Sequence, residues 1–433
     1  MRALARDIFS LALREVSIEG AFERNVQLDR NVLRIAEDLY DLGGDRGNDR
    51  RVLVISIGKA AYSMLDALYA QAANKLSGIA VGPSDPTARH PNFSYFHGGH
   101  PVPNADSVRA AQAILESVRN QKSSALIIYL LSGGGSALAE KPISDQISLD
   151  DLVATYSALV LSGAPIVQIN AIRKHLSAIK GGRLAAAAVP AQQVSVLVSD
   201  VPDNAPDALA SGPTMPDSST VEDCYAGAQK YRLLEQFPPS VRQIFEQKQL
   251  TETPKSGDPT FARSRWWTIL SNRHVQQAAA AQAARAGFAV EVDNHCDDWD
   301  YAAAADYLLS RLRELRRGVE RVCLISGGEV TVRVTNGGCG GRNQQFTLFC
   351  ATKIAGENIA VVSAGTDGVD GNSPAAGAVV DGMTLRRATA AGYDPTQALQ
   401  DFNAFPLFEA LGDAILTGPT GNNLRDLRIL LAY

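Results

Sequence analysis

Short apolar runs alternate along this chain with longer, alanine-rich stretches whose apolar positions recur at helical spacing. Several of the short runs are apolar at every position, which is typical of strands covered on both faces of a sheet. The alternation of strand, turn and helix predicts an α/β fold built mostly from parallel sheets. Strands are predicted at residues 52–57, 124–131, 194–198, 266–270, 290–292, 321–325, 330–334 and 359–363. Helices are predicted at residues 60–73, 107–120, 149–161, 172–184, 275–286, 301–316, 344–354 and 384–391, and also within residues 1–40, ahead of the first strand.

A polar connector rich in proline divides the chain. It opens with two adjacent prolines, and two further prolines follow within a run of turn-forming residues. Proline and glycine at this density indicate a loop rather than a helix or strand. We therefore predict an N-terminal α/β domain at residues 1–237, a linker at residues 238–265 and a C-terminal α/β domain at residues 266–433.

The composition narrows the class of protein. Of the 433 residues, 45% are hydrophobic, and the formal net charge is −5, so the chain can bury sizeable cores and shows no basic face for nucleic acid. No apolar run approaches the ~20 residues of a membrane-spanning helix, which argues against a membrane partner. The five cysteines form no C-x-x-C pair. Reduced thiols in the cytoplasm are the expected state.

Apolar strands in this sequence repeatedly end in glycine-rich turns. In open α/β sheets the ligand lies in the crevice beyond the carboxyl ends of the strands, so these turns are candidate binding loops. The five turns are Ile57-Gly58-Lys59-Ala60, Ser132-Gly133-Gly134-Gly135-Ser136, Ser199-Asp200-Val201, Gly337-Gly338-Cys339-Gly340-Gly341-Arg342 and Gly365-Thr366-Asp367-Gly368-Val369-Asp370.

The residue types in these turns suit phosphoryl transfer. That reaction needs backbone amides and cations around the phosphates, carboxylates for Mg²⁺ and a positioned nucleophile. Lys59 and Arg342 are candidate cations, and Asp200 and Asp367 are candidate carboxylates. The bare backbone of Ser132, Gly133, Gly134, Gly135 and Ser136, called the triglycine turn below, can approach an anion closely.

Each turn also has an ordinary structural interpretation. Lys59 can be a solvated residue at a helix start, Arg342 can neutralise a carboxylate, and Asp367 can cap a helix or stabilise a turn. The glycines can serve only a positive φ angle. It is the combination of the five turns that favours the functional interpretation.

Several common catalytic motifs are missing from the sequence. There is no G-x-x-x-x-G-K-[ST] and no protein-kinase motif set, which excludes those two kinase classes. The G-x-G-x-x-G fingerprint of nicotinamide enzymes and the G-x-S-x-G of serine hydrolases are also absent. His90, His97 and His100 cluster without the spacing typical of a zinc site.

Taken in order, the motifs resemble those of one family, the glycerate 2-kinases with a MOFRL-type C-terminal domain, over nearly the whole chain. Beyond the five turns, the matching segments are Gly99-His100-Pro101-Val102-Pro103, Asn170-Ala171-Ile172-Arg173-Lys174-His175-Leu176-Ser177, Lys180-Gly181-Gly182-Arg183-Leu184, Ala210-Ser211-Gly212-Pro213-Thr214, Ile325-Ser326-Gly327-Gly328-Glu329, Asp381-Gly382 and Thr417-Gly418-Pro419-Thr420-Gly421-Asn422-Asn423.

The resemblance implies a two-domain α/β protein, with a Rossmann-like α/β/α N-terminal domain and a smaller α/β C-terminal domain. It implies ATP-dependent phosphorylation of D-glycerate at its 2-hydroxyl, with ATP and Mg²⁺ as cofactors and glycerate as the small-molecule partner. Some members of the family are named hydroxypyruvate reductases, so NAD(P)H-dependent reduction of hydroxypyruvate is the first alternative. A protein that binds phosphorylated metabolites through the same glycine turns without catalysis is the second. The sequence leaves a homo-oligomer open.

The same resemblance suggests roles for the candidate residues. Lys59 would hold phosphate oxygens, and the triglycine turn would cradle the phosphates. Arg342 would contact the transferring phosphoryl group or the substrate carboxylate through its planar fork.

Two further pairs of residues complete the expected site. Asp200 and Asp367 would share the binding of Mg²⁺ and the orientation of the 2-hydroxyl, one of them accepting its proton, with the division between them open. Arg173 and Lys174 would bind the substrate carboxylate. Their alternative is a solvated basic face on a helix.

Overall fold

The structure is a computed structural model that describes residues 1–43, 52–334 and 337–433. It divides into two compact units. The larger unit comprises residues 21–269, and the smaller unit comprises residues 1–20 and 270–433. Among the described residues, no helix combines the length and the apolar character needed to cross a bilayer.

The helices and strands follow the alternating pattern of the sequence. The α-helices are α1 Arg2–Glu15, α2 Ile18–Asn25, α3 Ala61–Ala72, α4 Ala105–Arg119, α5 Gly135–Leu138, α6 Leu149–Leu161, α7 Ile166–His175, α8 Arg183–Ala187, α9 Val221–Lys230, α10 Pro239–Glu246, α11 Asn272–Arg285, α12 Tyr301–Arg316, α13 Arg342–Lys353, α14 Thr384–Ala390, α15 Pro395–Gln400 and α16 Ala404–Ala410. The strands are β1 Val26–Asp29, β2 Val32–Ile35, β3 Asp38–Asp41, β4 Val52–Ile57, β5 Leu76–Gly82, β6 Phe93–His97, β7 Leu126–Ser132, β8 Gln192–Val198, β9 Ser264–Leu270, β10 Ala289–Val292, β11 Val322–Gly328, β12 Ile359–Gly365, β13 Gly377–Asp381, β14 Ala414–Ile415 and β15 Asp426–Ala432.

The larger unit is built on a six-stranded sheet in the order β6-β5-β4-β7-β8-β9. The pairs from β6 through β8 are all parallel, which confirms the α/β prediction for this part of the chain. The central strand β7 is buried at every residue. That burial explains its uninterrupted apolar run, because both faces of a parallel sheet are covered by crossover helices.

The strand order reverses direction next to the predicted binding turns. From β4 the chain builds outward through β5 and β6, and β7 then returns to the other side of β4. The crevice of a parallel sheet opens where neighbouring strands lead away in opposite directions. The turns after β4 and β7 therefore lie together, and Ile57 pairs with Leu131 at their carboxyl ends.

The predicted linker is folded as part of the larger unit. Residues 239–246 form α10, whose Val241 and Phe245 are buried in an apolar cluster with residues of α6, α7 and α9. Pro239 lies in the first turn of α10, where proline needs no amide partner. The adjacent prolines thus begin a helix, and the structure places the change of unit at residue 270 instead.

The N-terminal region is only partly helical. α1 belongs to the smaller unit, where Arg2 bonds to Asp413 at 2.9 Å. β1, β2 and β3 form an antiparallel three-stranded sheet, so the expectation of helices up to residue 40 is wrong beyond α2. Arg30 and Ala36 adopt positive φ angles in the tight turns between these strands, although neither residue type signals such a turn.

The smaller unit has a mixed sheet in the order β10-β11-β15-β12-β13-β14. Among the described residues of this unit, only β10 and β11 pair in parallel. The last strand, β15, enters the centre antiparallel to both of its neighbours, and β13 is antiparallel to β12 and β14. The expectation of a mostly parallel sheet is therefore wrong here. The predicted strand at residues 330–334 is reduced to a single bridge between Asp300 and Thr331.

The turns after β4 and β7 are in direct contact. The amide of Lys59 donates to the carbonyl of Gly133 at 2.8 Å, and the amide of Ala60 donates to the Ser132 Oγ at 3.1 Å. Gly58 has a φ of 139°. A side chain at Gly58 would overlap Ser132, and its Cβ would lie 2.7 Å from the Ser132 carbonyl oxygen. This approach requires glycine both for its backbone conformation and for its size.

We expect Gly58→Ala to lower the free energy of unfolding by roughly 3 kcal/mol or more, because strain and a backbone overlap act together. Gly163→Ala is the matched control. Gly163 also has a positive φ, 72°, but no neighbour lies within 4 Å of a Cβ there, so only about 1 kcal/mol should be lost. Urea denaturation measures both, and equal losses would contradict a required contact at Gly58.

Candidate active site

The predicted site residues are divided between the two units. Lys59, the triglycine turn, Arg173, Lys174 and Asp200 belong to the larger unit. Arg342 and Asp367 belong to the smaller unit. Each group is described in its own unit.

Lys59, the triglycine turn and Asp200 meet at the carboxyl edge of the parallel sheet. A Cβ built on Gly134 would lie 3.1 Å from the Lys59 Cγ and 3.0 Å from the His100 Cδ2. A Cβ on Gly133 would overlap the Asp200 carboxylate, whose Cγ would be 2.5 Å away. The turn therefore has to be glycine at both positions, because side chains from neighbouring turns lie directly on its backbone.

A cavity of about 660 Å³ opens beside this turn. We call it the basic cavity, and its polar lining consists mainly of His100, Ser136, Tyr156, Arg173 and Lys180. No aspartate or glutamate is among the described residues that line it. Its remaining walls are largely apolar. An anion is the ligand that such a lining favours.

Arg173 is held in the basic cavity by an aromatic ring. Its guanidinium carbon lies 5.0 Å from the centre of the Tyr156 ring, a favourable cation–π geometry. Burial lowers the pKa of Arg173, although an arginine stays charged. Within the described residues the buried Nε has no hydrogen-bond partner. A buried donor of this kind is costly unless a ligand or water satisfies it.

The second cation of the basic cavity, Lys180, is buried and forms an ion pair with a buried glutamate. Its ammonium contacts the carboxylate of Glu140, which also accepts hydrogen bonds from Tyr156 Oη at 2.7 Å and Ser177 Oγ at 2.6 Å. Burial lowers the pKa of Lys180, while the contact with Glu140 favours the ammonium form. The network therefore fixes the Tyr156 ring on which Arg173 stacks.

Lys174 does not reach the basic cavity. Its ammonium lies 3.0 Å from Asp207 Oδ2 and 3.0 Å from Asp217 Oδ1, and the side chains of Lys174 and Asp217 are 6% and 0% exposed. Lys174 is thus a buried structural ion pair rather than the carboxylate ligand expected from the sequence. Neighbours on a helix point about 100° apart, so only one of Arg173 and Lys174 can face the cavity.

In the smaller unit, Arg342 is bound by carboxylates of the protein. Its Nε and Nη2 donate to Asp426 at 2.6 and 3.0 Å, and Nη2 also lies 2.7 Å from Glu329. Burial lowers the pKa of Arg342, but the hydrogen bond and charge of Asp426 outweigh it and raise the pKa overall. The planar fork that was expected to contact the transferring phosphoryl group or the substrate carboxylate is bound to Asp426.

The two carboxylates after β12 have different environments. Asp370 is buried and accepts the amides of Asn343 and Gln344 at 3.1 and 2.9 Å, at the start of α13. Burial raises the pKa of Asp370 to about 6. Both Asp367 and Asp370 line a cavity of about 500 Å³ together with Arg342. Asp367 is the more exposed of the two carboxylates, and its Oδ1 accepts the amide of Val369 at 3.1 Å.

The described residues contain no group of three or more histidine, cysteine or acidic side chains arranged to hold a metal ion. Asp200 and Asp367, the two predicted metal ligands, belong to different units. A Mg²⁺ ion that is carried mainly by nucleotide phosphates needs only one or two protein carboxylates. Taken within its own unit, each of the two predicted ligands supplies one carboxylate of the kind that this mode of binding uses.

Sequence reasoning missed several residues of these sites. His100 stood in a quoted motif but received no role, and Tyr156 and Glu140 carried no signal in any motif. Asp426 was missed because the strand that begins with it was not predicted. A buried charged residue can be found only once the partner across the fold is known.

Two family models match the chain. Residues 4–246 match a domain of unknown function, DUF4147, and residues 322–426 match the MOFRL family. A D-glycerate 2-kinase of Thermotoga maritima is 36% identical over 392 residues, which cover 88% of this chain and 90% of that protein. The chain belongs to the glycerate 2-kinase family. Its relationship to that family thus extends over both units.

Two further relatives of this glycerate 2-kinase family member are informative. The crystal structure of a glycerate kinase from Thermotoga maritima has a TM-score of 0.86 to this chain at 33% identity, covering 100% of this chain and 99% of that one. A protein of Agrobacterium vitis, provisionally named a hydroxypyruvate reductase, is 36% identical over 88% of this chain and 87% of its own length. The two-domain α/β prediction is confirmed, and both activities occur among the names of relatives.

We expect Lys174→Met to lower the free energy of unfolding by about 3–5 kcal/mol, because it leaves Asp217 buried without its cation. Lys141→Met is the matched control, since Lys141 pairs with Asp145 at 3.1 Å and that carboxylate is 98% exposed. A surface pair of this kind contributes about 0–1 kcal/mol. Chemical denaturation compares the two, and a loss at Lys174 no larger than that at Lys141 would contradict a buried structural pair.

Proposed function

We propose that this protein is a glycerate 2-kinase, which transfers the γ-phosphoryl group of ATP to the 2-hydroxyl of D-glycerate and yields 2-phosphoglycerate and ADP. The observation that carries the proposal is the basic cavity beside the triglycine turn. Its lining includes two cations and part of the triglycine turn, and no carboxylate is among the described lining residues. The cavity lies next to the strand-order reversal, where parallel α/β sheets bind ligands. The identity of the acceptor, glycerate, is inferred from the family to which the chain belongs.

The carboxylate of glycerate is proposed to bind Arg173. The Nε of Arg173 has no hydrogen-bond partner among the described residues, and its guanidinium lies over the Tyr156 ring. A guanidinium binds a carboxylate through two parallel hydrogen bonds. Because Tyr156 and Glu140 already fix the arginine, little ordering remains for the substrate to impose. Lys180 adds positive charge to the same cavity.

The phosphates of ATP are proposed to lie on the triglycine turn beside Lys59. Gly134 is partly exposed and lines the basic cavity, and the Lys59 side chain lies against the same turn. Positive charge aimed at the transferring group stabilises the charge that develops in the transition state. Mg²⁺ bound to the nucleotide would neutralise further phosphate charge, with Asp200 and Asp367 as the proposed carboxylate ligands that also orient the hydroxyl.

Arg342 is proposed to act through Asp426 and Glu329. Its charge is already paired within the smaller unit, so its contribution is to hold these carboxylates in place beside the cavity that Asp367 lines. Replacing the arginine would release two carboxylates next to Asp367. That interpretation differs from direct contact with the phosphoryl group.

The proposal is tested by incubating the purified protein with D-glycerate, ATP and Mg²⁺ and resolving 2-phosphoglycerate from 3-phosphoglycerate by phosphorus NMR. ADP and 2-phosphoglycerate should appear in equal amounts. Formation of the 3-isomer would overturn the regiochemistry. Oxidation of NADPH with hydroxypyruvate, in the absence of any ADP formation, would instead establish the reductase that some relatives are named for.

We expect Lys59→Ala to lower kcat by roughly 10²–10³-fold, because a cation directed at developing phosphoryl charge is lost. Lys75→Ala is a suitable control, since Lys75 bonds to Asn31 away from the triglycine turn. Steady-state kinetics and a melting curve should separate catalysis from folding. If Lys59→Ala retains wild-type kcat, Lys59 is only a residue at a helix start.

We expect Arg173→Ala to raise KM for glycerate roughly 10–100-fold and to leave KM for ATP nearly unchanged, because a charge-assisted pair with the carboxylate is lost. Arg173→Lys should recover little, since lysine lacks the planar fork. The control is Arg183→Ala, which also removes one positive charge. Arg183 belongs to the same basic sequence region but lines a different cavity, and a similar KM effect there would show that only general positive charge matters.

A further inference from the structure

His100 lies at the edge of the basic cavity. A Cβ on Gly134 would be 3.0 Å from the His100 Cδ2 and 3.3 Å from its Nε2, so this edge of the imidazole lies against the triglycine turn. Ser136 and Arg173 line the same cavity. Within the described parts of the chain, neither ring nitrogen of His100 forms a hydrogen bond. A substrate hydroxyl between turn and arginine would meet this edge.

The loop that carries His100 is fixed on both sides. The Gly98 amide donates to the Gly82 carbonyl at 3.1 Å, and the Gly99 amide donates to Ser107 Oγ at 2.9 Å. Asn104 and Ser107 then form a capping box that starts α4. The imidazole is thus positioned by secondary structure rather than by a hydrogen bond of its own, which leaves it free for chemistry.

We propose that His100 is the general base of the reaction and accepts the proton of the acceptor hydroxyl at Nε2. This inference rests on the proposed kinase function and adds a catalytic residue to it. A general base has to lie within hydrogen-bond reach of the proton that it removes. With the carboxylate on Arg173 and the phosphates on the triglycine turn, the acceptor hydroxyl lies in the part of the cavity that His100 borders.

The proton transfer balances with the phosphoryl transfer. The O–H bond of the acceptor breaks and its proton passes to Nε2, while an oxygen lone pair forms the new bond to the γ-phosphorus of the nucleoside triphosphate. The bond from that phosphorus to the β-bridging oxygen breaks, and its electron pair leaves with the nucleoside diphosphate. The imidazolium then returns its proton to solvent, to which His100 is exposed.

The charges around the imidazole favour its neutral, basic form. Burial lowers the pKa of His100 below its ordinary value of 6.5, and the positive charge of Lys59 lowers it further. Arg173 and Lys180 line the same cavity, while Asp200 packs on the adjacent Gly133. Neutral imidazole is therefore the main form at pH 7, as a base requires.

The role of His100 as a base can be tested by the pH dependence of kcat/KM. The active form is neutral imidazole with a lowered pKa, so wild-type activity should hold as pH falls to about 6.5 and decline below it, as His100 becomes protonated. His100→Gln should reduce kcat by about 10²–10⁴-fold and remove this acid limb. An acid limb that persists unchanged in His100→Gln would overturn the proposal and assign the base to Asp200.

Chemical rescue separates a base from a structural residue. Imidazole added to His100→Ala should restore part of the lost kcat in proportion to the concentration of neutral imidazole, whereas His97→Gln, outside the lining of the basic cavity, should behave as wild type. An inactive, folded His100→Ala without rescue, or one with wild-type kcat, overturns the role of base. If the wild type does not phosphorylate glycerate at all, the proposed function fails instead, and this outcome is seen before any variant is made.

Discussion

The site in the larger unit depends on one close contact, between the turns that follow β4 and β7. Gly58 allows the first turn to lie against the Ser132 backbone, and the Lys59 amide joins it to Gly133. The two strands are in register at their carboxyl ends, so the contact aligns a lysine with a bare backbone at the strand-order reversal. The triglycine turn held by this contact is the surface against which Lys59, His100 and Asp200 pack.

The second requirement is electrostatic. Two cations, the half-buried Arg173 and the buried Lys180, line a cavity that has no carboxylate among its described lining residues. Burying unpaired charge is costly, and the fold limits the cost by placing the Glu140 carboxylate beneath the floor, in contact with Lys180 and Tyr156. Glu140 thus compensates the charge of Lys180 and leaves the charge of Arg173 unpaired by it. This arrangement attracts an anion to the arginine.

The sequence predicted the location of the site better than the directions of its side chains. A buried parallel strand has a recognisable apolar run, and its turn must lie at the sheet edge, so Lys59 and the triglycine turn were found without knowledge of the fold. Arg173 and Lys174 are adjacent, and only packing decides that one faces the cavity and the other Asp217. The strands that were missed are β1 to β3, β5, β6 and β13 to β15, because a strand depends on pairing with distant segments as well as on its own residues.

The missed strand β15 also determines how Arg342 functions. Asp426 is its first residue and pairs opposite Gly365 on β12 and Gly328 on β11, which brings a carboxylate to the end of the sheet where α13 begins with Arg342. An arginine after a glycine-rich loop indicates anion binding only while its fork is free. Here the bidentate contact with Asp426 uses that fork, whereas the Nε of Arg173 has no partner among the described residues. We therefore propose different roles for the two arginines: Arg342 would organise carboxylates around Asp367, and Arg173 would bind a ligand.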